Sequence, residues 1–191
     1  MSKDHFLVDI IDANNDDDDN NIELQEKKAE FGVTLTSKED VSKLFSGRNL
    51  VFIATLSKDN SPHLTPVWAD MDEKEELVLI NSFEGSAKVR NVRRDPRVAL
   101  SIVETHNTYK MVSMKGKVVD ITMNDADNHL HKLAKKYLGI GKYYYRKPSQ
   151  KRVIIKVKPE KIMGISIHPA FYFLAYSPWY SFRFRITKKI L

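Results

Sequence analysis

No feature of this 191-residue sequence limits its fold more than the passage from strand to basic helix at residues 81–97. Leu77-Val78-Leu79-Ile80 is an apolar run that reads as a buried strand. The chain leaves it through Asn81-Ser82 and Gly85 into a short segment carrying Lys88, Arg90, Arg93 and Arg94, closed by Asp95-Pro96. A strand that feeds a helix start, with a small residue at the turn and cations just inside, is a way to hold a phosphate. The free N–H groups of the first turn and the positive end of the helix dipole both favour an anion there. Lys88 and Arg90 would add charge-assisted hydrogen bonds. The plain alternative is a solvated basic helix.

Around this passage the chain alternates strand patterns with turn formers. Residues 49–56 (NLVFIATL) read as a buried strand, 57–62 as a turn and 63–70 (HLTPVWAD) as a second strand. Pro66 cannot donate to a ladder, so that strand carries a bulge or lies on an edge. Residues 76–82 form the strand that feeds the basic helix. Strands 97–104 and 109–121 follow, the latter bending at Gly116, and two more, 152–157 and 161–167, flank Pro159. Thr36 and Glu39 fit a capping box for a helix with Val41, Leu44 and Phe45 on its apolar face. Residues 124–138 form a second amphipathic helix through Leu130, Leu133, Ala134, Tyr137 and Leu138, ended by Gly139. Tyr143-Tyr144-Tyr145 falls in a loop. These strands, joined mostly by short turns and accompanied by two or three helices, predict a mainly β protein: a β-barrel with helical decorations.

The two ends differ from this body. Residues 1–33 include Asp16 to Asp19 flanked by asparagines, which repel one another and have nothing to bury, so a disordered acidic extension is predicted. Ten acidic residues face three lysines in residues 1–30, so the rest of the chain is more basic than its formal +6 suggests. The barrel domain is placed at 34–168. An aromatic and basic extension occupies 169–191, where Phe182, Phe184 and Ile186 share one face of an extra strand or of an interfacial segment touching a membrane or a partner. Arg183, Arg185, Lys188 and Lys189 exclude a membrane span. The absence of cysteine excludes disulfides and thiolate metal sites. No signal pattern and no long uncharged apolar run occur, which predicts a soluble cytoplasmic protein. Nucleic-acid binding is not expected, because the cations cluster in one motif without interleaved aromatics.

Taken in order, Ala54-Thr55-Leu56 with Asp59, Pro62, Thr65-Pro66-Val67-Trp68, Ala87-Lys88-Val89-Arg90-Asn91 and Arg94-Asp95-Pro96-Arg97-Val98 form a set. The set resembles the pyridoxamine 5'-phosphate oxidase-like superfamily of FMN-binding split β-barrels. It is most similar to the branch that uses the deazaflavin coenzyme F420. Gly116, Lys136-Tyr137-Leu138-Gly139, and Arg152-Val153-Ile154-Ile155 with Pro159-Glu160 extend the similarity to about residues 36–167. The resemblance implies a homodimer whose two barrels share a cofactor groove. It also implies that the cofactor's anionic tail lies near Ser86, Ala87, Lys88 and Arg90. The ring would lie against Thr65, Pro66, Val67 and Trp68, with Asn81 and Ser82 at the nearby strand end. One departure stands out: Ser86 occupies a position where the family often has arginine, so one anion contact is weaker or supplied elsewhere.

The implied activity is that of an oxidoreductase, a reductase passing a hydride from F420 to a small conjugated or aromatic substrate. The cofactor carries the hard step, so no nucleophile–base pair is expected and no catalytic residue is assigned. Tyr109 or the tyrosine run would line the substrate entrance. FMN in the same fold gives an oxidase or reductase alternative. A non-catalytic flavin or haem carrier, with His63 or His168 as axial ligand, is a third reading. Each residue also has a plain role. Trp68 fits a packed barrel aromatic, Asn81 and Ser82 a strand end, Arg93, Arg94 and Arg97 a solvated face, and His63 a surface strand. His129 and His131 are two apart on a helix and share no face, so no metal site is expected.

Overall fold

A computed structural model describes residues 33–35, 37–145, 147 and 149–167 of the chain. The expected extensions 1–33 and 169–191 therefore lie almost wholly outside the described residues. The described chain falls into two units. In one, strand β1 (Val33–Leu35) pairs antiparallel with the last three residues of strand β8 (Arg152–Ile167), Val33 opposite Ile167. The other unit, residues 36–164, carries the core.

That core unit opens with helix α1 (Lys38–Ser46), followed by β2 (Val51–Leu56), β3 (Pro62–Val67), β4 (Ala69–Asp72) and β5 (Leu77–Phe83). Helix α2 (Ala87–Arg94), β6 (Arg97–Val103), β7 (Lys110–Thr122) and helix α3 (Ala126–Leu138) come next, and β8 closes the unit. The strands form one antiparallel sheet in the order β3-β2-β6-β7-β8-β5-β4. Its two edge strands, β3 and β4, are joined in sequence by Trp68 alone. Consecutive Cα atoms lie about 3.8 Å apart, so that one-residue link draws the two edges together and the sheet curls into a half-barrel. The predicted mainly β barrel with a few helices is what the chain forms.

Alternating burial along the strands fills the inside of the curl. Val51 and Ile53 of β2, Val78 and Ile80 of β5, Leu100 and Ile102 of β6, Val112 and Met114 of β7, and Val153, Ile155 and Val157 of β8 are buried together. Val41, Leu44 and Phe45 of α1 and Val89 and Val92 of α2 pack against them.

Three local expectations need correction. The strand expected at 63–70 is two strands that break at Trp68, which places Pro66 on an edge, where its missing N–H costs no ladder bond. The two strands expected around Pro159 are one. The β5–β8 ladder ends at Val78 opposite Val157, so Pro159 lies beyond it, where one side of β8 has lost that partner. The first helix is capped one residue later than Thr36. Ser37 Oγ accepts from Asp40 N–H at 3.1 Å and the Asp40 carboxylate accepts from Ser37 N–H at 3.3 Å, so Asp40 completes the box in place of Glu39.

Candidate functional site

The end of β5, the start of α2 and one face of α3 surround a cavity of about 380 Å³. Its apolar walls are Leu50, Pro66 and Val67 from the β2–β3 side and Leu130 and Leu133 from α3. Its aromatic walls are Trp68 and Tyr143, and its polar walls are Asn81, Lys88 and Arg152. Among the described residues no carboxylate lines it, and two cations do.

Lys88 sits in the first turn of α2. Gly85 makes that turn possible: its φ of 80° lies in the left-handed region that a side chain disfavours. Ser86 then caps the helix, its Oγ accepting from Val89 N–H at 3.3 Å while contacting Ser82 Oγ at 3.0 Å. Both hydroxyls are buried and serve the helix start. Burial, and to a smaller degree the charge of Arg152, pull the Lys88 ammonium below the ordinary lysine range. It has no hydrogen-bond or ion-pair partner among the described residues. Arg90 is exposed, and its guanidinium donates to the Gly85 carbonyl. Arg93 pairs with Glu84, Arg94 donates to the Leu56 carbonyl and Arg97 pairs with Asp95.

Arg152 owes its place to strand register. It lies opposite Phe83 in the β5–β8 ladder, so its side chain shares a face with Asn81, two residues back along β5. Asn81 Oδ1 accepts from Arg152 Nε at 2.8 Å and from a second guanidinium N–H. Asn81 Nδ2 donates to the Ala126 carbonyl at 2.7 Å and lies 3.4 Å from His129 Nδ1. His129 is buried, and that burial pushes its imidazolium down to about 4. The ring is therefore neutral at pH 7, and its Nε2 is buried without a hydrogen-bond partner among the described residues.

Trp68, the link between the sheet edges, is clamped by α3. Tyr137 stacks on it at 5.2 Å and 6°, and Tyr143 meets it edge-on at 5.9 Å. The Tyr137 hydroxyl donates to the Asn49 carbonyl at 2.9 Å and accepts from Ala69 N–H at 3.4 Å. Lys136 Nζ donates to the carbonyls of Phe45 at 2.5 Å and Ala69 at 2.6 Å. One side of the Trp68 ring is thus committed to packing, as its plain reading had it.

Of the residues singled out in the sequence, the fold gathers Pro66, Val67, Trp68, Asn81 and Lys88 at the cavity. Thr65, Ser82, Ser86, Ala87 and Arg90 are not among its walls. Thr65 Oγ1 is buried without a hydrogen-bond partner among the described residues. Tyr143 lines the cavity and Tyr109 does not. His63 is half-buried on edge strand β3 and is no wall either, and His168 lies outside the described residues. Arg152 was missed: in the sequence it is only the first residue of a strand, and its partnership with Asn81 needs a ladder between segments 71 residues apart. Leu50 and Pro66 are also exposed. They share an open apolar sheet face with Phe52, which pairs with Pro66, and with Leu64, which is 63% exposed.

Residues 37–166 match the family model described as pyridoxamine 5'-phosphate oxidase, about two-thirds of the chain. The chain belongs to the pyridoxamine 5'-phosphate oxidase family. Within it, the sequence is 26% identical over 136 residues to an F420H(2)-dependent biliverdin reductase of Mycobacterium tuberculosis (strain CDC 1551 / Oshkosh), spanning 71% of this chain and 93% of that protein. The fold is similar to a solved F420 reductase, with a TM-score of 0.56 and 25% identity over 63% of this chain and 94% of that one. It is also similar to a conserved hypothetical protein from Mycobacterium tuberculosis, with a TM-score of 0.52 and 22% identity over 66% and 82% of the two chains, a likeness of fold alone. Among the described residues no helix is long and apolar enough to cross a membrane.

Proposed function

We propose that this member of the pyridoxamine 5'-phosphate oxidase family is a homodimeric reductase that binds coenzyme F420 and reduces a small conjugated or aromatic compound. The observation that carries this reading is the cavity itself: apolar and aromatic walls, a half-buried ammonium, a guanidinium beside it and, among the described residues, no partner for that ammonium and no carboxylate in the walls. A half-buried ammonium with no partner among the described residues favours an anion beside it. An anionic, ring-bearing redox cofactor answers both the charge and the walls. The relative named for F420H(2) narrows the choice among such cofactors.

When bound, the deazaflavin would supply the hydride. The chain's own residues have other tasks. Lys88 binds the anionic part at the start of α2, with Ser86 and Ala87 shaping the turn around it and Arg90 fixing that turn from outside. Pro66, Val67 and Trp68 offer the ring a flat wall that excludes water, and Thr65 supports that strand from beneath. Asn81 and Ser82 lie near the end of β5, where ring and tail would meet. Replacing Lys88 with Ala is expected to weaken F420 binding by about 2 kcal/mol, the value of one charge-assisted hydrogen bond. Fluorescence titration measures this, and unchanged affinity would remove Lys88 from the site.

The exposed apolar face that carries Leu50, Phe52, Leu64 and Pro66 reaches the cavity's edge. A second copy covering that face would enclose the cofactor between subunits. Sedimentation of the wild-type protein should then give a dimer, and Leu64→Glu a monomer that binds F420 weakly. A wild-type monomer at micromolar concentration contradicts the shared groove.

FMN in the same cavity is the second reading, favoured by the family's being named for an oxidase. Mass spectrometry of the small molecule that copurifies from the native host separates the two. Reduction of biliverdin by F420H(2) is the first activity to assay.

A further inference from the structure

We propose that Tyr143 is a specificity-determining residue that receives a flat conjugated ring of the substrate, and that His131 is a positioning residue that holds Tyr143 in place. The proposal rests on the reductase reading for its ligand class, a conjugated substrate, but not for its geometry.

Tyr143 differs from the other walls of the cavity in where it comes from. Every other wall lies in a strand or a helix or directly adjoins one. Tyr143 belongs to residues 139–151, the longest connection between elements of the described chain. A side chain on such a connection can change what a site admits without disturbing the sheet that frames it.

Two contacts set its position. Its ring stands at 85° to the Trp68 indole, with centroids 5.9 Å apart. Its backbone N–H donates to His131 Nδ1 at 3.1 Å. Helix α3 therefore governs both sides of an aromatic corner: Tyr137 stacks on Trp68 at 5.2 Å, and His131 ties down Tyr143. A flat ring lying parallel to the indole meets Tyr143 in the edge-to-face arrangement that aromatic pairs prefer.

Tyr145 continues the series outward. Its ring meets that of Tyr143 at 5.7 Å and 68°, and the residue is 78% exposed. Aromatic contacts thus run from the cavity wall at Trp68, through Tyr143, to solvent. A group that enters and leaves at every turnover fits this edge, whereas Lys88 suits the anionic part of a cofactor that stays. The corner therefore belongs to the substrate.

Full-length wild type, Tyr143→Ala, Tyr143→Phe, His131→Ala, His131→Asn and the double alanine variant test this. Biliverdin reduction by F420H(2) gives kcat and KM, absorbance titration gives biliverdin affinity without cofactor, and fluorescence titration gives F420 affinity without substrate. Tyr143→Ala is expected to raise the KM and weaken biliverdin binding about three- to tenfold, as loss of an aromatic pair does. Its kcat and F420 affinity should stay at the wild-type level, and Tyr143→Phe, which keeps the ring, should match wild type throughout. His131→Ala should show part of the KM effect and add nothing to Tyr143→Ala. His131→Asn, whose side-chain oxygen can accept the same N–H, should restore the wild-type KM, a rescue that loss of packing alone would not give. Unchanged biliverdin affinity in Tyr143→Ala would overturn the proposal and leave the reductase reading standing. Equal loss of F420 affinity in Tyr143→Ala, or a wild type that binds no biliverdin, would overturn it as well. If biliverdin affinity follows the expected pattern while the wild type binds neither F420 nor FMN, the ring corner stands and the reductase reading falls.

Discussion

Gly116→Ala is expected to destabilise the protein by about 2–3 kcal/mol, as forced overpacking between fixed backbones does. A Cβ built on Gly116 would lie 2.4 Å from the Lys158 carbonyl oxygen and 3.1 Å from both the Lys158 carbonyl carbon and Pro159 Cα. All three are backbone atoms of β8, so no side chain can swing aside and β7 must part from β8. Removing a glycine from a strand gains at most about 1 kcal/mol through the unfolded state, too little to reverse the sign. Gly141→Ala is the control, since a Cβ there meets nothing within 4 Å. Urea unfolding should show a lower midpoint for Gly116→Ala and no loss for Gly141→Ala. Equal midpoints would mean that β7 and β8 are not packed as described.

The second large effect concerns pH. His129 is neutral in the folded state because burial pushes its pKa from an ordinary 6.5 down to about 4. Asp70 and Asp125 attract its proton, but Lys132 and Lys136 oppose them and desolvation dominates. Between these two pH values the unfolded chain binds a proton that the folded chain does not, so stability rises with pH across the interval. The contribution is complete above about pH 6.5 and is lost as pH falls toward 4, a total of about 3 kcal/mol. Asp40 and Asp95 are held below the ordinary carboxylate range by hydrogen bonds from Lys110 and Arg97. Their losses therefore come mostly at lower pH and do not mask the interval. Urea midpoints at several pH values should slope for the wild type and be nearly flat for His129→Gln. Parallel slopes would assign the pH dependence to other groups.

How much of this was legible beforehand follows from which interactions are local. The alternation in residues 51–56 and 97–103 and the apolar faces of α1 and α3 are written in neighbouring residues, and those elements formed as expected. The break at Trp68 was not visible, because residues 63–70 have the composition of one strand. Only the closing of the sheet, with Tyr137 stacked on the indole and Lys136 tied to the Ala69 carbonyl, turns one residue into a corner. Pro159 misled in the opposite direction, since a proline is harmless in a strand where one ladder has ended. At the site, the strand-to-helix passage pointed to Lys88 because strand, turn and cation are contiguous. The same reasoning set Arg90 beside Lys88, but residues two apart on a helix face different ways. The charge that joins Lys88 is Arg152, supplied through a cross-strand register that no local pattern encodes. His129 was weighed in the sequence only as a metal ligand with His131, and its burial beside Asn81 follows from α3 lying against β5.

The measurement that bears most directly on the proposed function is a crystal structure of the protein grown with coenzyme F420. The cofactor is expected in the cavity beside Pro66, Val67 and Trp68, with an anionic group in contact with the Lys88 ammonium. F420 bound elsewhere, with that cavity empty and Lys88 and Arg152 facing only water, would contradict it.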